Sequence, residues 1–270
     1  FSRHYIDIDH WDSWPFDQVP RQLDKACMKY GELYFYSKSD TIKCNLNQEL
    51  LFQFYKNNIY PYRYNSRVEL HKDSVRNYLE ETVLDSSSTR VIFENRLVQY
   101  GVLPYFLEDF HKRLEWAFLS GDKKAILRIS ADLGHYLADA HVPLHTTLNY
   151  NGQLTNQLGI HAFWESRLPE LFSEDHYDFV VGKASYIDIV KDYIWSIVLD
   201  SHSLLTKVLE EERKLRLNFP DDMQFCFEER LESVVWTQCK EYSSAYHKAL
   251  GGMVEKRMQD AVKAIGDFWY

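Results

Sequence analysis

The stretch Ala131-Asp-Leu-Gly-His135-Tyr-Leu-Ala-Asp139-Ala-His141-Val-Pro-Leu-His145 carries the most specific pattern in this sequence of 270 residues. His135 and Asp139 are four residues apart, so in a helix their side chains leave one face a turn apart and can bind one cation. Pro143 ends such a helix because it lacks a backbone N–H, and His145 can then turn toward the same region. The stretch therefore predicts a helix that leads into a metal site.

A second pair with the same spacing follows in Gly159-Ile-His161-Ala-Phe-Trp-Glu165. Imidazole nitrogens and carboxylate oxygens together suit zinc, with iron and manganese as competitors. The residues thus indicate five metal ligands, which are His135, Asp139, His145, His161 and Glu165.

A plain structural interpretation of the first pair stays open. At 100° per residue, His135 and Asp139 lie opposite the apolar stripe of their helix, as residues on a solvated polar face would. The small residues Ala131, Gly134 and Ala138 beside the pair favour the metal site, because they let another segment pack closely there.

Composition favours helices. Hydrophobic residues make up 45% of the chain, and 10 Gly and 7 Pro are too few for a turn-rich β fold, so we expect an all-α protein. The net charge of −9 argues against a general nucleic-acid-binding module. It does not argue against a phosphate-ester enzyme, because divalent cations reverse the charge locally.

Helical periodicity and end signals predict the following helices: Arg21–Tyr30, Gln48–Lys56, Ser66–Leu84, Pro104–Gly121, a helix capped by Asp122, Ser185–Leu217, and Phe225–Trp269 with a break at Gly251-Gly252. The pattern is least clear between positions 33 and 93, and Phe1 to Asp12 reads as an extended segment.

The cysteines, the hydropathy and the N-terminal residues say little about the cellular compartment of the protein. The four cysteines lack a Cys-x-x-Cys spacing, so a Cys27–Cys44 disulfide and free thiols are equally open. No apolar run reaches about eighteen residues, so no transmembrane helix is expected. No signal peptide is expected within the given sequence, which begins at Phe1.

Three segments of the chain resemble the superfamily of zinc-dependent phospholipase C enzymes and single-strand-specific zinc nucleases. They are His4-Tyr-Ile-Asp-Ile-Asp, the stretch from His135 to His145, and the stretch from Gly159 to Glu165. The resemblance covers most of the chain from Val102 onward, together with the N-terminal segment. It implies an all-α fold that holds up to three zinc ions in a cleft.

The resemblance also implies roles for particular residues. His4 would join His135 and Asp139 on one zinc ion, while His145, His161 and Glu165 would hold another. The family's remaining ligands are an aspartate, a tryptophan and a histidine that precede the segment matched by His4, so an upstream segment is expected to be missing. We expect one helical zinc-hydrolase domain over residues 1–270, with positions 33–93 as an insertion.

The expected activity is hydrolysis of a phosphodiester, with a phospholipid headgroup or single-stranded nucleic acid as the substrate, in a secreted or periplasmic protein of unknown oligomeric state. Glu165 and the short loop between His145 and His161 resemble the phospholipase C branch, whereas His-Val-Pro-Leu-His is closer to the nucleases. Three other classes of protein stay open. They are a non-catalytic helical binding protein with a structural metal, a helical metal phosphohydrolase, and an iron or manganese oxygenase. The second has adjacent His-Asp ligands, and this sequence lacks a His-Asp dipeptide.

Overall fold

An antiparallel sheet of four strands organises the N-terminal part of the chain. The strands follow one another in the order β2-β1-β4-β3, and they are β1 (Gly31–Tyr36), β2 (Thr41–Cys44), β3 (Arg67–Leu70) and β4 (Arg90–Asn95). Leu33 and Phe35 of β1 are buried, as the period of two in a half-buried strand requires. Phe93 lies opposite both Leu33 and Val68, so a row of buried apolar side chains crosses the sheet.

This sheet belongs to the first of two compact units, Phe1–Tyr105 and Phe106–Tyr270, in the computed structural model, which describes residues 1–36, 41–79, 90–230 and 233–270. Short helices accompany the sheet, namely α1 (Ile8–Trp11), α2 (Leu23–Tyr30), α3 (Leu51–Phe54), α4 (Lys72–Val75) and α5 (Arg96–Gln99). Gly31 connects α2 to β1 at a very close approach, because a Cβ atom there would lie 2.1 Å from Cζ of Phe93.

The second unit is mainly helical. Its helices are α6 (Leu103–Ser120, which begins in the first unit), α7 (Lys123–Ala140), α8 (Ile160–Ala162), α9 (Leu168–His176), α10 (Val190–Ser203), α11 (Leu205–Asn218), α12 (Lys240–Leu250) and α13 (Met253–Trp269). A hairpin of β5 (Phe225–Arg230) and β6 (Ser233–Gln238) precedes α12. Buried side chains from α8, α11, α12 and α13 form a common core with Leu144 and Trp164.

The expectation of an all-α fold is wrong. About 61% of the described residues are helical and 13% lie in strands, and the four-stranded sheet and the hairpin make the protein a mixed α/β structure. The strands arise where apolar and aromatic residues alternate, as in Leu33-Tyr-Phe35 and Phe225-Cys-Phe227. Overall composition could not reveal these segments, because they are short beside the long helices.

Several predicted helices are confirmed. The helix before Gly31, the helix that begins near Pro104 and the break at Gly251-Gly252 lie where the end signals place them. Asp122 caps α7 as predicted, since its Oδ1 accepts hydrogen bonds from the backbone N–H groups of Lys124 and Ala125 at 3.0 and 3.1 Å. Local end signals therefore located the helix that carries His135 and Asp139.

Other helix predictions need correction. Arg67–Leu70 is a strand within the predicted helix Ser66–Leu84, whose last five residues lie outside the described chain. Ser185–Leu217 is two helices, α10 and α11, which meet at Leu204. Phe225–Arg230 and Ser233–Gln238 are strands instead of parts of a helix, because the aromatic residues alternate and Phe227 pairs with Trp236 across the two strands.

The structure also bears on the membrane and cysteine expectations. Within the described ranges, no helix combines the length and the apolar character needed to cross a bilayer. Cys27, Cys44, Cys226 and Cys239 are free thiols. Burial raises the pKa of the Cys27 thiol to about 12, so this side chain stays protonated at neutral pH.

Asp7 is a buried carboxyl group in the first unit. Its backbone N–H donates to the Tyr100 carbonyl at 2.7 Å, and among the described residues its buried Oδ1 has no hydrogen-bond partner. Burial, with a further contribution from the charge of Asp9, raises the pKa of Asp7 to about 7. The folded protein therefore holds a proton on Asp7 that the unfolded chain releases near pH 4.

We predict that Asp7→Asn removes a pH dependence of stability. Because the pKa is higher in the folded state, stability falls as the pH rises from about 4 to about 7 and stays lower above that range. Asp7→Asn should raise the apparent melting temperature by a few degrees at pH 8, since roughly 1 kcal/mol corresponds to about 2–4 °C in a protein of this size. At pH 5 the difference between the variant and the parent should be clearly smaller, because only part of the fall in stability between pH 4 and pH 7 has then occurred.

Thermal denaturation followed by circular dichroism at both pH values measures this effect. Asp17→Asn, a change of the same type at an exposed carboxyl, is the control and should leave the melting temperature unchanged at either pH. Equal effects of Asp7→Asn at pH 5 and pH 8 would contradict the raised pKa.

Candidate metal centre

Three side chains of the second unit converge on one point. His145 Nε2 and His161 Nε2 lie 3.1 and 2.7 Å from Oε2 of Glu165, and the two nitrogens are 3.0 Å apart. Each of the three residues thus directs one potential ligand atom to the same place. The geometry brings together the three ligands that the sequence predicts for one zinc ion, and their binding of a metal stays a prediction.

The electrostatic state of Glu165 suits metal binding. Burial alone would raise the pKa of this carboxyl group, but its contacts with His145 and His161 outweigh burial and hold the pKa well below the usual range. Glu165 is therefore an anion across the whole physiological pH range. An anionic oxygen beside two imidazole nitrogens is a donor set that zinc accepts.

Each candidate ligand follows a residue of the hydrophobic core. Leu144, Ile160 and Trp164 are at most 3% exposed, and they immediately precede His145, His161 and Glu165. Because a packed core permits little movement, these neighbours hold the backbone at all three ligand positions. The site is therefore built on the core of the second unit.

Polar contacts from α10 and α13 fix the segment between α7 and His145. Ser201 Oγ donates to the Ala140 carbonyl at 2.6 Å, and Arg257 Nε donates to the His141 carbonyl at 3.0 Å. His202 Nδ1 lies 3.0 Å from the Thr146 carbonyl oxygen. These bonds hold the short 3₁₀ turn Pro143–Thr146 in place on both sides of His145.

A π-helical segment, Phe163–Arg167, carries Glu165. Such segments are rare and occur frequently at functional sites. Arg167 anchors its end: its side chain is 3% exposed, its Nε and Nη2 donate to the Gln238 carbonyl at 3.1 and 2.9 Å, and Nη2 also donates to Glu228 at 2.5 Å. The hairpin β5-β6 thereby holds the segment in place.

The loop between His145 and His161 is closed by its own amide side chains. Asn149 and Asn151 accept hydrogen bonds from the backbone N–H groups of Leu154 and Gly159 at 2.8 and 3.1 Å. Gln157 donates to the Leu209 carbonyl at 2.8 Å and to the buried Glu212. Turn chemistry thus occupies these groups.

A second candidate pair lies on α7. His135 Nε2 and Asp139 Oδ2 are 3.5 Å apart, with the carboxylate buried and the imidazole largely exposed. Beside them, Gly134 leaves room for Ile265 of α13, whose Cδ1 would lie 3.5 Å from a Cβ at that position. Of the three small residues beside the pair, Gly134 thus contacts a side chain of α13, whereas Ala131 and Ala138 are exposed.

His4 is the further ligand that the resemblance assigns to this pair. It belongs to the N-terminal unit, where its backbone N–H donates to the Phe1 carbonyl at 3.1 Å. Its role as a ligand stays a prediction.

Sequence reasoning missed the residues that support the centre. Ser201, His202 and Arg257 act on Ala140 to Thr146 from more than fifty positions away, and no local spacing signals such contacts. His141 lies among the candidate ligands in sequence, but its Nδ1 is 2.7 Å from the Leu137 carbonyl oxygen of its own helix. The sequence signal that could have pointed to these supporting residues was the occurrence of polar residues within otherwise apolar helices.

We predict that Arg167→Met destabilises the second unit by about 2 kcal/mol or more. The change leaves Glu228 and the Gln238 carbonyl without their buried cationic donor, a situation that is strongly unfavourable. Urea denaturation monitored by circular dichroism measures the loss. Arg128→Met, on the exposed surface of α7, is the matched control and should change stability by less than about 0.5 kcal/mol. Similar losses in both variants would contradict the anchoring role.

Comparisons of the chain with known proteins found no relative. No protein-family model, curated protein or solved structure matches the chain.

Proposed function

We propose that this chain is a zinc-dependent hydrolase of phosphodiester bonds, of the phospholipase C type. The observation that carries the proposal is the convergence of His145, His161 and Glu165, whose ligand atoms all lie within 4.8 Å of one another. Two imidazoles and one carboxylate form a ligand set found in catalytic zinc sites, where a fourth position stays open for water or substrate. A closed structural site would require four protein ligands.

The chemistry of the donors fits zinc. Zinc, when bound, supplies a Lewis acid and makes hydroxide available near neutral pH for attack on phosphorus. Glu165 contributes the anionic oxygen of the donor set. His145 and His161 must each present an unprotonated Nε2, and the core residues before them orient both rings.

The pair on α7 would serve a further zinc ion. Asp139 offers a buried carboxylate and His135 an exposed imidazole to such an ion. A cation held here would lie beside the same cavity as Glu165, since His135, Asp139 and Glu165 all line it. Two cations at one cavity would neutralise the phosphoryl oxygens of a diester and the departing alkoxide.

The substrate class is the finer part of the proposal. Phospholipid headgroups and single-stranded nucleic acid both present a phosphodiester, and a single-strand-specific nuclease is the alternative activity. A helical binding protein with a structural metal is the alternative of another class, and it requires metal binding without turnover. Metal analysis together with parallel assays on phosphatidylcholine and single-stranded DNA, with and without chelator, separates these three cases.

We predict that His145→Ala and His161→Ala each abolish zinc binding by the group of His145, His161 and Glu165 and remove phosphodiesterase activity. Each change deletes one of three protein ligands. Zinc content by atomic emission spectroscopy and turnover of bis-p-nitrophenyl phosphate are the two measurements. His176→Ala, at an exposed histidine in the same unit, is the control and should retain both.

Two outcomes would refute the proposal. Full-length protein with stoichiometric zinc and no phosphoesterase activity would leave the binding protein as the better assignment. Retention of zinc and activity by both histidine variants would show that the ligands lie elsewhere.

We further predict that Glu165→Gln weakens zinc binding at least tenfold while the fold is kept. Glutamine has nearly the same shape as glutamate, so only the anionic oxygen is lost, and the two imidazoles must then hold the cation with a neutral partner. Competition with a chromophoric chelator measures the affinity. Glu174→Gln, on the exposed side of α9, is the matched control, and equal affinities of the two variants would count against Glu165 as a ligand.

A further inference from the structure

A cavity of about 250 Å³ opens beside the candidate ligands of the second unit. His135, Asp139 and Glu165 contribute to its wall, so both candidate ligand groups border the same space. Most of the remaining wall is apolar and comes from α7, α13 and the segment around Trp164. The apolar part includes Ala138, Val142, Trp164, Val254, Met258 and Ala261.

Arg257 and His141, the other charged or titratable residues of the wall, already have partners, whereas the buried indole N–H of Trp164 has none among the described residues. Arg257 donates to the His141 carbonyl at 3.0 Å, to Ser201 Oγ at 2.5 Å and to Asp260 at 3.3 Å. His141 uses Nδ1 for its contact with the Leu137 carbonyl. Apart from the candidate ligands, the wall therefore offers few free polar groups to a polar or charged ligand, and burying such a ligand there would be unfavourable.

The size of the cavity limits its occupant. At about 30 Å³ per water molecule, 250 Å³ corresponds to roughly eight heavy atoms. A phenyl ring or a hexyl chain has this size, whereas a diacylglycerol or a complete nucleoside is much larger. A nucleobase would also need hydrogen-bond partners for its edges, and the free part of the wall supplies mainly carbon atoms.

We propose that this cavity binds an uncharged apolar arm of about six to eight carbon atoms, attached to a phosphoryl group that lies at the candidate metal ligands. The inference rests on the proposed phosphodiesterase function and narrows its substrate class to esters with a short alkyl or aryl group. Such an arm fills the cavity with carbon atoms while the phosphoryl oxygens stay at its polar border. Selectivity then comes from apolar burial, which favours an alkyl chain over a polar chain of equal length.

Binding of non-hydrolysable phosphonates to the zinc-loaded full chain tests the inference without turnover. Isothermal titration calorimetry compares methylphosphonate, hexylphosphonate and a phosphonate whose chain of equal length carries ether oxygens. We expect hexylphosphonate to bind at least about tenfold more tightly than either of the others, because its methylene groups leave water for the apolar wall.

Two variants connect this selectivity to the cavity. Ala138→Leu places three more heavy atoms in the wall and should weaken hexylphosphonate binding about tenfold while methylphosphonate binding stays unchanged. Met258→Ala enlarges the space and should make octylphosphonate the preferred ligand. Ala131→Leu, two turns earlier on α7 and outside the wall, is the matched control and should bind as the parent does.

The outcomes for the cavity are separate from those for the enzyme. Equal affinities for hexyl- and methylphosphonate, equal effects of Ala138→Leu and Ala131→Leu, or no measurable binding of any phosphonate would each overturn the inference. Selective hexylphosphonate binding that Ala138→Leu abolishes would uphold it even if no phosphodiester is hydrolysed, and in that case only the proposed activity would fail.

Discussion

The candidate centre depends on a single carboxylate oxygen that two imidazoles share. Oε2 of Glu165 lies within 3.1 Å of both His145 Nε2 and His161 Nε2, and these nitrogens are themselves 3.0 Å apart. Hydrogen atoms cannot satisfy all three contacts at once. If both nitrogens carry a proton, the two N–H groups face each other at close range and repel. If one nitrogen lacks its proton, its lone pair faces the carboxylate oxygen, and that contact is repulsive. A cation at the common point would satisfy all three atoms together.

This constraint explains why residues from several helices of the second unit hold the short segment around His145. Two nitrogen lone pairs and a carboxylate repel one another and would turn apart if the backbone allowed it. The core residues that precede each ligand prevent such movement, and Ser201, His202 and Arg257 bind carbonyl groups on either side of His145. Arg167 does the same for the π-helical segment through the Gln238 carbonyl. The energetic cost of holding like groups together is thus offset by packing and hydrogen bonds some distance away.

The parts of the fold that follow from local chemistry could be predicted from the sequence. Asp122 caps α7 and Gly251-Gly252 separates α12 from α13 because these residue types favour those positions. The i, i+4 spacing of His161 and Glu165 likewise anticipated their contact. The strands were missed because their alternation extends over only four to six residues, which cannot outweigh the helical composition of the whole chain. The hydrogen bonds of Arg257 connect positions far apart in sequence, so they depend on tertiary structure that no spacing rule expresses.

The two candidate groups differ in how firmly the second unit holds them, and this difference bears on their roles. His145, His161 and Glu165 come from a 3₁₀ turn and a neighbouring helical segment, and each directly follows a buried core residue. His135 and Asp139 come from one helix, and the imidazole is largely exposed, so its side chain must lose rotational freedom when a cation binds. A cation bound by His145, His161 and Glu165 would find its ligands already in place, whereas one bound by His135 and Asp139 would need a further ligand or the oxygens of a substrate. A cation would therefore find prearranged ligand atoms at His145, His161 and Glu165, but not at His135 and Asp139 alone.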